Sequence, residues 1–89
     1  MDSSIRKVLK KCIKSFMKSN RINWGNIQNG DIKERFKIPV GWRTLHKVIK
    51  DPKYNTMHVN SQSDLLEFFN IPHTKEFGII TLSKQNEND

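Results

Sequence analysis

The first stretch of the chain carries apolar residues at the spacing of one face of a helix. They recur at i, i+3, i+4, i+7, i+8, i+11 and i+12, which predicts an amphipathic helix of about three to four turns. Asp2, Ser3 or Ser4 can cap its start, and Ser19-Asn20 can end it. The apolar positions are Ile5, Val8, Leu9, Cys12, Ile13, Phe16 and Met17. The opposite face carries a basic row at i, i+4, i+7 and i+11, formed by Lys7, Lys11, Lys14 and Lys18.

A short strand and a short helix are predicted next. Ile22–Trp24 is β-inclined and is followed by chain-breaking Gly25, so we expect a minimal strand there. Asp31 can cap a helix from Ile32 to about Lys37.

A third helix is predicted to begin near Pro39, which fits its first turn, and to stop at Asp51-Pro52. Trp42, Leu45 and Ile49 lie at i, i+3 and i+7 and form the expected buried face. The remaining face is basic, with a histidine among the cations: Arg43, His46, Lys47 and Lys50.

The last third of the chain predicts two strands around another helix. Lys53–Asn60 alternates between side-chain types like a strand, and Phe77–Leu82 is rich in β-branched residues, so we expect the two to pair. Ser61 with Asp64 resembles a capping box for a helix over Gln62–Phe69.

This element order predicts a mainly α fold with a small β-hairpin, in the α+β class. Three helices followed by a hairpin are typical of a winged helix-turn-helix, here with an elaborated wing that contains the extra helix. We expect residues 1–82 to form this single winged-helix-like domain and residues 83–89 to form a disordered polar tail. With 89 residues, two independent cores are not expected.

Charge adds the first functional indication. The chain has a net charge of +7 and a pI of about 9.8. Residues 1–54 carry +10 and residues 55–89 carry −3, so the basic N-terminal part favours an anionic partner. No apolar run is long enough to span a bilayer, and a single cysteine, Cys12, cannot form an internal disulfide. We therefore expect a cytoplasmic or nuclear protein that is neither secreted nor bound to a membrane.

Two sets of motifs resemble known families. Ile5-Arg6-x-x-Leu9, the run Gly41-Trp42-Arg43-Thr44-Leu45 and the predicted strand at Met57–Val59 resemble the LOTUS (OST-HTH) winged helix. That resemblance implies a role in RNA-regulatory assemblies. Trp42, the turn Asp51-Pro52-Lys53-Tyr54 and a final phenylalanine at Phe68 or Phe69 are instead similar to the FF domain, which implies an all-helical phosphopeptide and RNA-processing module.

We expect a nucleic-acid-binding domain, with duplex DNA preferred over RNA. The third helix would contact the duplex and the first helix would contact phosphates. Trp24, Trp42 and Tyr54 are candidates for stacking on bases, and we expect Trp24, next to Gly25, to be more exposed than Trp42. The alternative is a protein-interaction module, LOTUS-like or FF-like, that binds through residues 60–80; a homodimer is also open. We expect no catalysis, metal or cofactor. The candidate nucleic-acid contacts are Arg43, His46, Lys47, Lys50, Lys7, Lys11, Lys14, Lys18 and Arg21.

Overall fold

The computed structural model describes residues 1–83, which fold into four α-helices and one antiparallel β-hairpin. The mainly helical α+β class is therefore confirmed. All of the predicted polar tail except Ser83 lies outside the described residues. The elements are α1 (Ser3–Ser19), a 3-10 turn (Asn26–Gln28), α2 (Gly30–Phe36), α3 (Trp42–Lys50), α4 (Val59–Phe68), β1 (His73–Glu76) and β2 (Ile79–Leu82).

Helix α1 follows its sequence pattern closely. The Asp2 side chain accepts a hydrogen bond from the Ser4 backbone N–H and caps the helix as predicted. Val8, Cys12 and Phe16 lie half-buried along one flank, while the centre of the apolar stripe enters the core. The fully covered positions on α1 are Ile5, Leu9, Ile13 and Met17.

The core joins all four helices. α1 packs against α3, and the hairpin packs against α4. Phe16 of α1 makes edge-to-face ring contacts with Phe36 of α2 at 5.3 Å and with Phe68 of α4 at 5.4 Å between ring centroids. These contacts place a phenylalanine cluster where α1, α2 and α4 meet.

The end of α1 is a Schellman motif built on a residue other than glycine. Arg21 adopts the left-handed conformation with φ 54°. The Ile22 N–H donates to the Met17 carbonyl at 2.8 Å and the Arg21 N–H donates to the Lys18 carbonyl at 3.3 Å. The chain thereby reverses direction and places Ile22 in the core.

Helices α2 and α4 end in the same way. Lys37 with φ 58° and Asn70 with φ 59° are the left-handed residues, and each is followed by an isoleucine whose N–H closes the motif. Ile38 is buried and Ile71 is half-buried. Three helix ends are therefore stopped by local backbone geometry combined with burial of an isoleucine.

Replacing Lys37 with glycine is expected to stabilise the fold. A lysine in the left-handed region is strained, whereas glycine adopts it freely, so we expect Lys37→Gly to raise the free energy of unfolding by about 0.5 kcal/mol. Urea denaturation measures the change. Lys33→Gly is the control because Lys33 lies inside α2, where glycine should destabilise by about 1 kcal/mol. A destabilised Lys37→Gly variant would contradict this description of the helix end.

The predicted strand at Ile22–Trp24 is wrong. The left-handed Arg21 and two asparagine side chains fold this segment into a turn. The Asn23 side-chain carbonyl accepts from the N–H groups of Gly25 and Asn26, at 2.9 and 2.8 Å. Such side-chain hydrogen bonds compete with strand formation.

The strand predicted at Lys53–Asn60, and its pairing with Phe77–Leu82, are also wrong. The backbone carbonyls of Tyr54, Asn55 and Met57 accept hydrogen bonds from the Arg6 guanidinium, the Met1 ammonium and the Gln62 side-chain amide, respectively. The segment is thus held by these three groups and not by a neighbouring strand. β2 pairs instead with its near neighbour β1, in the register His73 to Leu82 and Glu76 to Ile79. The elaborated wing is therefore wrong as well, because α4 precedes the whole hairpin and is not inserted between its strands.

Three predicted helix starts are displaced. Asn29 caps α2, because its side chain accepts from the Asp31 N–H, and Asp31 itself lies in the first turn. α3 begins at Trp42 and not near Pro39, because Pro39 and Val40 form a bend that buries Val40 and Gly41 is the N-cap. α4 begins at Val59, capped by the His58 ring, so the predicted helix over Gln62–Phe69 with a capping box at Ser61 starts too late.

Candidate nucleic-acid interface

The outer face of α3 is the most coherent basic surface that the sequence predicted. Leu45 and Val48 are buried on the inner side of this helix. Arg43, Lys47 and Lys50 project from the opposite side and are exposed. Because the inward side chains fix the rotation of the helix, these three cations face solvent together.

His46 lies half-buried beside this row, between two tryptophans. Its ring is 4.8 Å from the Trp24 ring and 6.3 Å from the Trp42 ring, in both cases edge-to-face. Trp24 comes from the turn after α1, whereas Trp42 opens α3. The structure therefore brings together two of the three aromatic side chains considered as stacking candidates. Trp42, expected to be buried, is only half-buried.

Two of the α3 cations lie over aromatic rings. The Arg43 guanidinium carbon is 5.0 Å from the Trp42 ring centroid, and the Lys47 ammonium is 5.6 Å from the Tyr54 ring centroid. These distances are in the range of cation–π attraction. They restrict where the two cations lie, so the surface presents charges that are partly ordered before any ligand arrives.

Tyr54 was expected to stack on bases but not to lie beside the α3 cations, where the structure places it. It was expected in a strand, but the Tyr54 N–H donates to the Asp51 carbonyl at 3.1 Å and turns the chain back along α3. The signal for this turn was present in the sequence, because Asp51-Pro52 directly follows the helix.

Arg6 is missing from the candidate contacts, and it positions the surface. Its guanidinium donates to the Tyr54 carbonyl at 2.7 Å, the Val48 carbonyl at 3.2 Å and the Asp51 carbonyl. A cation at the C-terminal end of a helix also interacts favourably with the helix dipole. Arg6 therefore ties α1 to the end of α3 and to the segment that carries Tyr54.

The basic row of α1 is exposed along its whole length. Lys7, Lys11, Lys14 and Lys18 lie on the side of the helix away from its buried stripe, and Arg21 is exposed just beyond the helix end. Within residues 1–83, the hydrogen bonds from α1 side chains to α3 come from Arg6 and not from this row. The α1 row and the α3 row thus lie on two helices that Arg6 links through hydrogen bonds.

The environment of Cys12, the sole cysteine, favours a role in packing over a role as a nucleophile. Burial raises the pKa of the Cys12 thiol, and the nearby Lys11 ammonium opposes that shift. A thiol that is harder to ionise is a poorer nucleophile. Within the described part of the chain, no three His, Cys, Asp or Glu side chains are grouped as a metal site would require. No helix in that part has the length and apolar character needed to cross a membrane.

No protein-family model, curated protein or solved structure matches this chain. The functional conclusion therefore depends on the residues of the α3 surface and of the elements beside it.

Proposed function

We propose that the protein is a nucleic-acid-binding domain of the winged-helix type, in which the outer face of α3 contacts the nucleic acid. Duplex DNA is the preferred ligand over RNA. The basic row of α1, together with Arg21, supplies phosphate contacts beside the contact made by α3.

The observation that supports this proposal most directly is the exposed row of Arg43, Lys47 and Lys50 beside aromatic rings. Lysine and arginine neutralise phosphates and release counterions, and arginine can also donate to guanine edges. His46 and Trp24 border the row and offer hydrogen-bonding and apolar edges. A row fixed on a helix can follow a groove, whereas scattered surface charges cannot.

The succession of α2 and α3 supports the helix-turn-helix part of this proposal. Two short helices, α2 and α3, follow one another and are joined by residues 37–41, which would form the turn of a helix-turn-helix. The β1–β2 hairpin, after α4, would be the wing. It carries Lys75 and Glu76, whose opposite charges favour a small role for the wing in phosphate contact.

Removing two α3 cations should weaken binding. We expect the Arg43→Ala/Lys47→Ala double variant to lose at least about 1 kcal/mol of binding free energy to a mixed-sequence duplex DNA, measured by fluorescence anisotropy at fixed salt. The matched control is Lys33→Ala/Arg35→Ala, which removes one lysine and one arginine from the exposed surface of α2. Equal losses in the two variants would show that net charge, and not the α3 face, determines binding.

A salt titration with duplex DNA, duplex RNA and single strands separates the ligand classes. Affinity should fall with salt for every ligand that binds through phosphates, with a slope of about 0.9 per neutralised phosphate for duplex DNA. The proposal predicts the tightest binding for duplex DNA. Tighter single-strand binding would instead favour base stacking on Trp24, and no binding to any of the three would refute the proposal.

One observation favours the alternative, a protein-interaction module that binds through residues 60–80. Phe77, at the tip of the hairpin, is fully exposed, and large exposed apolar side chains are typical of protein contacts. The resemblances to the LOTUS and FF families stay predictions within this alternative. A protein partner bound in this way would survive high salt, whereas phosphate contacts would weaken steeply.

A further inference from the structure

The tip of the hairpin presents an apolar side chain in a strained conformation. Phe77 has a relative exposure of 101% and Ile79 one of 66%. Phe77 and Gly78 have φ values of 54° and 73°, as a two-residue type I′ turn requires. Asparagine or aspartate is the usual first residue of such a turn, so phenylalanine costs stability here and gains no intramolecular contact in return.

A groove on the flank of α1 is apolar, and no other part of residues 1–83 covers it. It has a volume of about 670 Å³ and lies between α1, the end of α4 and the base of the hairpin. Lys11 stands at its edge. The apolar residues that line it are Val8, Cys12, Phe16, Phe69, Ile71 and Leu82.

The tip of a hairpin cannot reach the groove at the base of the same hairpin. Leu82 lines the groove, and Phe77 lies beyond the opposite end of β2, at about 3.4 Å per residue along the strand. The full exposure of Phe77 confirms that its ring touches no groove of its own chain. The Phe77 ring and the α1 groove are both apolar, but they cannot meet within one chain. They can meet when the ring comes from a second copy of the chain.

Charge also favours a second copy. Glu76 is exposed beside Phe77, and Lys11 is exposed at the edge of the groove, so inserting the tip would bring opposite charges together. Lys75, the other charge near the tip, already donates to the Asn60 side-chain oxygen at 2.8 Å.

We propose that Phe77 of one copy inserts into the α1 groove of a second copy, and that the second copy returns the same contact. A two-fold pair of this kind satisfies both tips and both grooves and is closed to further growth. Each phenylalanine buries about 150–250 Å². With the groove walls included, the two contacts bury on the order of 1,000 Å², the size of a weak interface that dissociates at micromolar or higher concentration.

Sedimentation velocity of the full chain from about 10 µM to about 1 mM tests the pair across the range in which weak interfaces form. The proposal predicts a monomer that converts to a dimer, with no larger species. Phe77→Asn should weaken the dimer at least about ten-fold while keeping the melting temperature equal or higher, because Asn-Gly suits the type I′ turn. A chain that stays monomeric throughout, or a dimer that Phe77→Asn leaves intact, overturns the proposal.

A charge exchange locates the contact. Lys11→Glu and Glu76→Lys should each weaken the dimer, and the double variant should restore it, because the opposite charges then meet again in reversed order. Thr74→Asn, at an exposed position away from the tip, is the control that should leave the dimer unchanged. If the double variant dimerises no more tightly than the two single variants, the tip does not enter this groove. If Phe77→Asn weakens duplex DNA binding and not self-association, the tip serves a nucleic acid, and the proposal is wrong.

Discussion

Replacing Leu9 with alanine should remove much of the stability of the fold. Leu9 has no exposed surface and lies in the middle of the α1 stripe that the core surrounds. Leucine-to-alanine changes at such sites cost about 3–4 kcal/mol, because the lost burial is combined with a cavity that neighbours fill only partly. For a domain of this size the total stability is of the order of 5–10 kcal/mol. The variant should therefore unfold at a much lower urea concentration.

Ile79→Ala is the matched comparison for Leu9→Ala. It also truncates a branched aliphatic side chain, but from a position that is 66% exposed. We expect a change below about 1 kcal/mol when unfolding is followed at low protein concentration. A loss below 1 kcal/mol for Leu9→Ala as well would contradict the orientation of α1 described above, since the stripe would then not face the core.

Arg6→Met should have the second largest effect on stability. The substitution keeps most of the length of the apolar stem but removes the charge and all the donors that reach the carbonyls of Val48, Asp51 and Tyr54. Hydrogen bonds from charged groups contribute about 1.5–3 kcal/mol, and part of this arrangement is exposed, so we expect a loss of about 2 kcal/mol in urea denaturation.

The control for Arg6→Met is Lys7→Met, which removes one positive charge from the adjacent, exposed position on α1. Its stability should change by less than about 0.5 kcal/mol. Equal effects of the two substitutions would show that Arg6 acts through net charge. A larger effect at Arg6, accompanied by a shift of the Tyr54 ring signals in the NMR spectrum, is the result expected if Arg6 positions the segment after α3.

The sequence predicted α1 well because its apolar residues keep a helical spacing over several turns. Its seven apolar positions follow a single helical spacing, and the alternation of burial in the structure has the same spacing. The starts of the shorter helices were misplaced by two or three residues. In those helices a single cap decides the start, and the side chains of Asn29 and His58 act as caps where Asp31 and Ser61 were equally reasonable choices.

The segment before α4 shows why alternation alone does not predict a sheet. Lys53–Asn60 alternates in sequence, yet Lys53 lies in a turn, residues 54–58 form no regular element, and Val59 and Asn60 already belong to α4. A strand also needs a partner for its backbone groups. Here Arg6, Met1 and Gln62 serve as those partners, and none of these long-range contacts is visible in the local pattern.

The sequence predicted the row of cations on α3 but not the aromatic residues that lie beside it. Helical spacing placed Arg43, Lys47 and Lys50 on one exposed side, and the structure has them there. The aromatic neighbours come from outside the helix. Trp24 arrives through a turn that was predicted as a strand, and Tyr54 arrives through a turn after α3.

At two of the helix ends described above, the residue that carries a positive charge also lowers the stability of the fold. Arg21 and Lys37 occupy backbone positions that glycine would adopt with less strain, yet each contributes a positive charge to the surface. Glycine at both sites would lower the net charge from +7 to +5, since two cations are removed. The double glycine variant should therefore be more stable but should associate more slowly with a negatively charged target. The difference in association rate should be largest at low ionic strength, where charges are screened least.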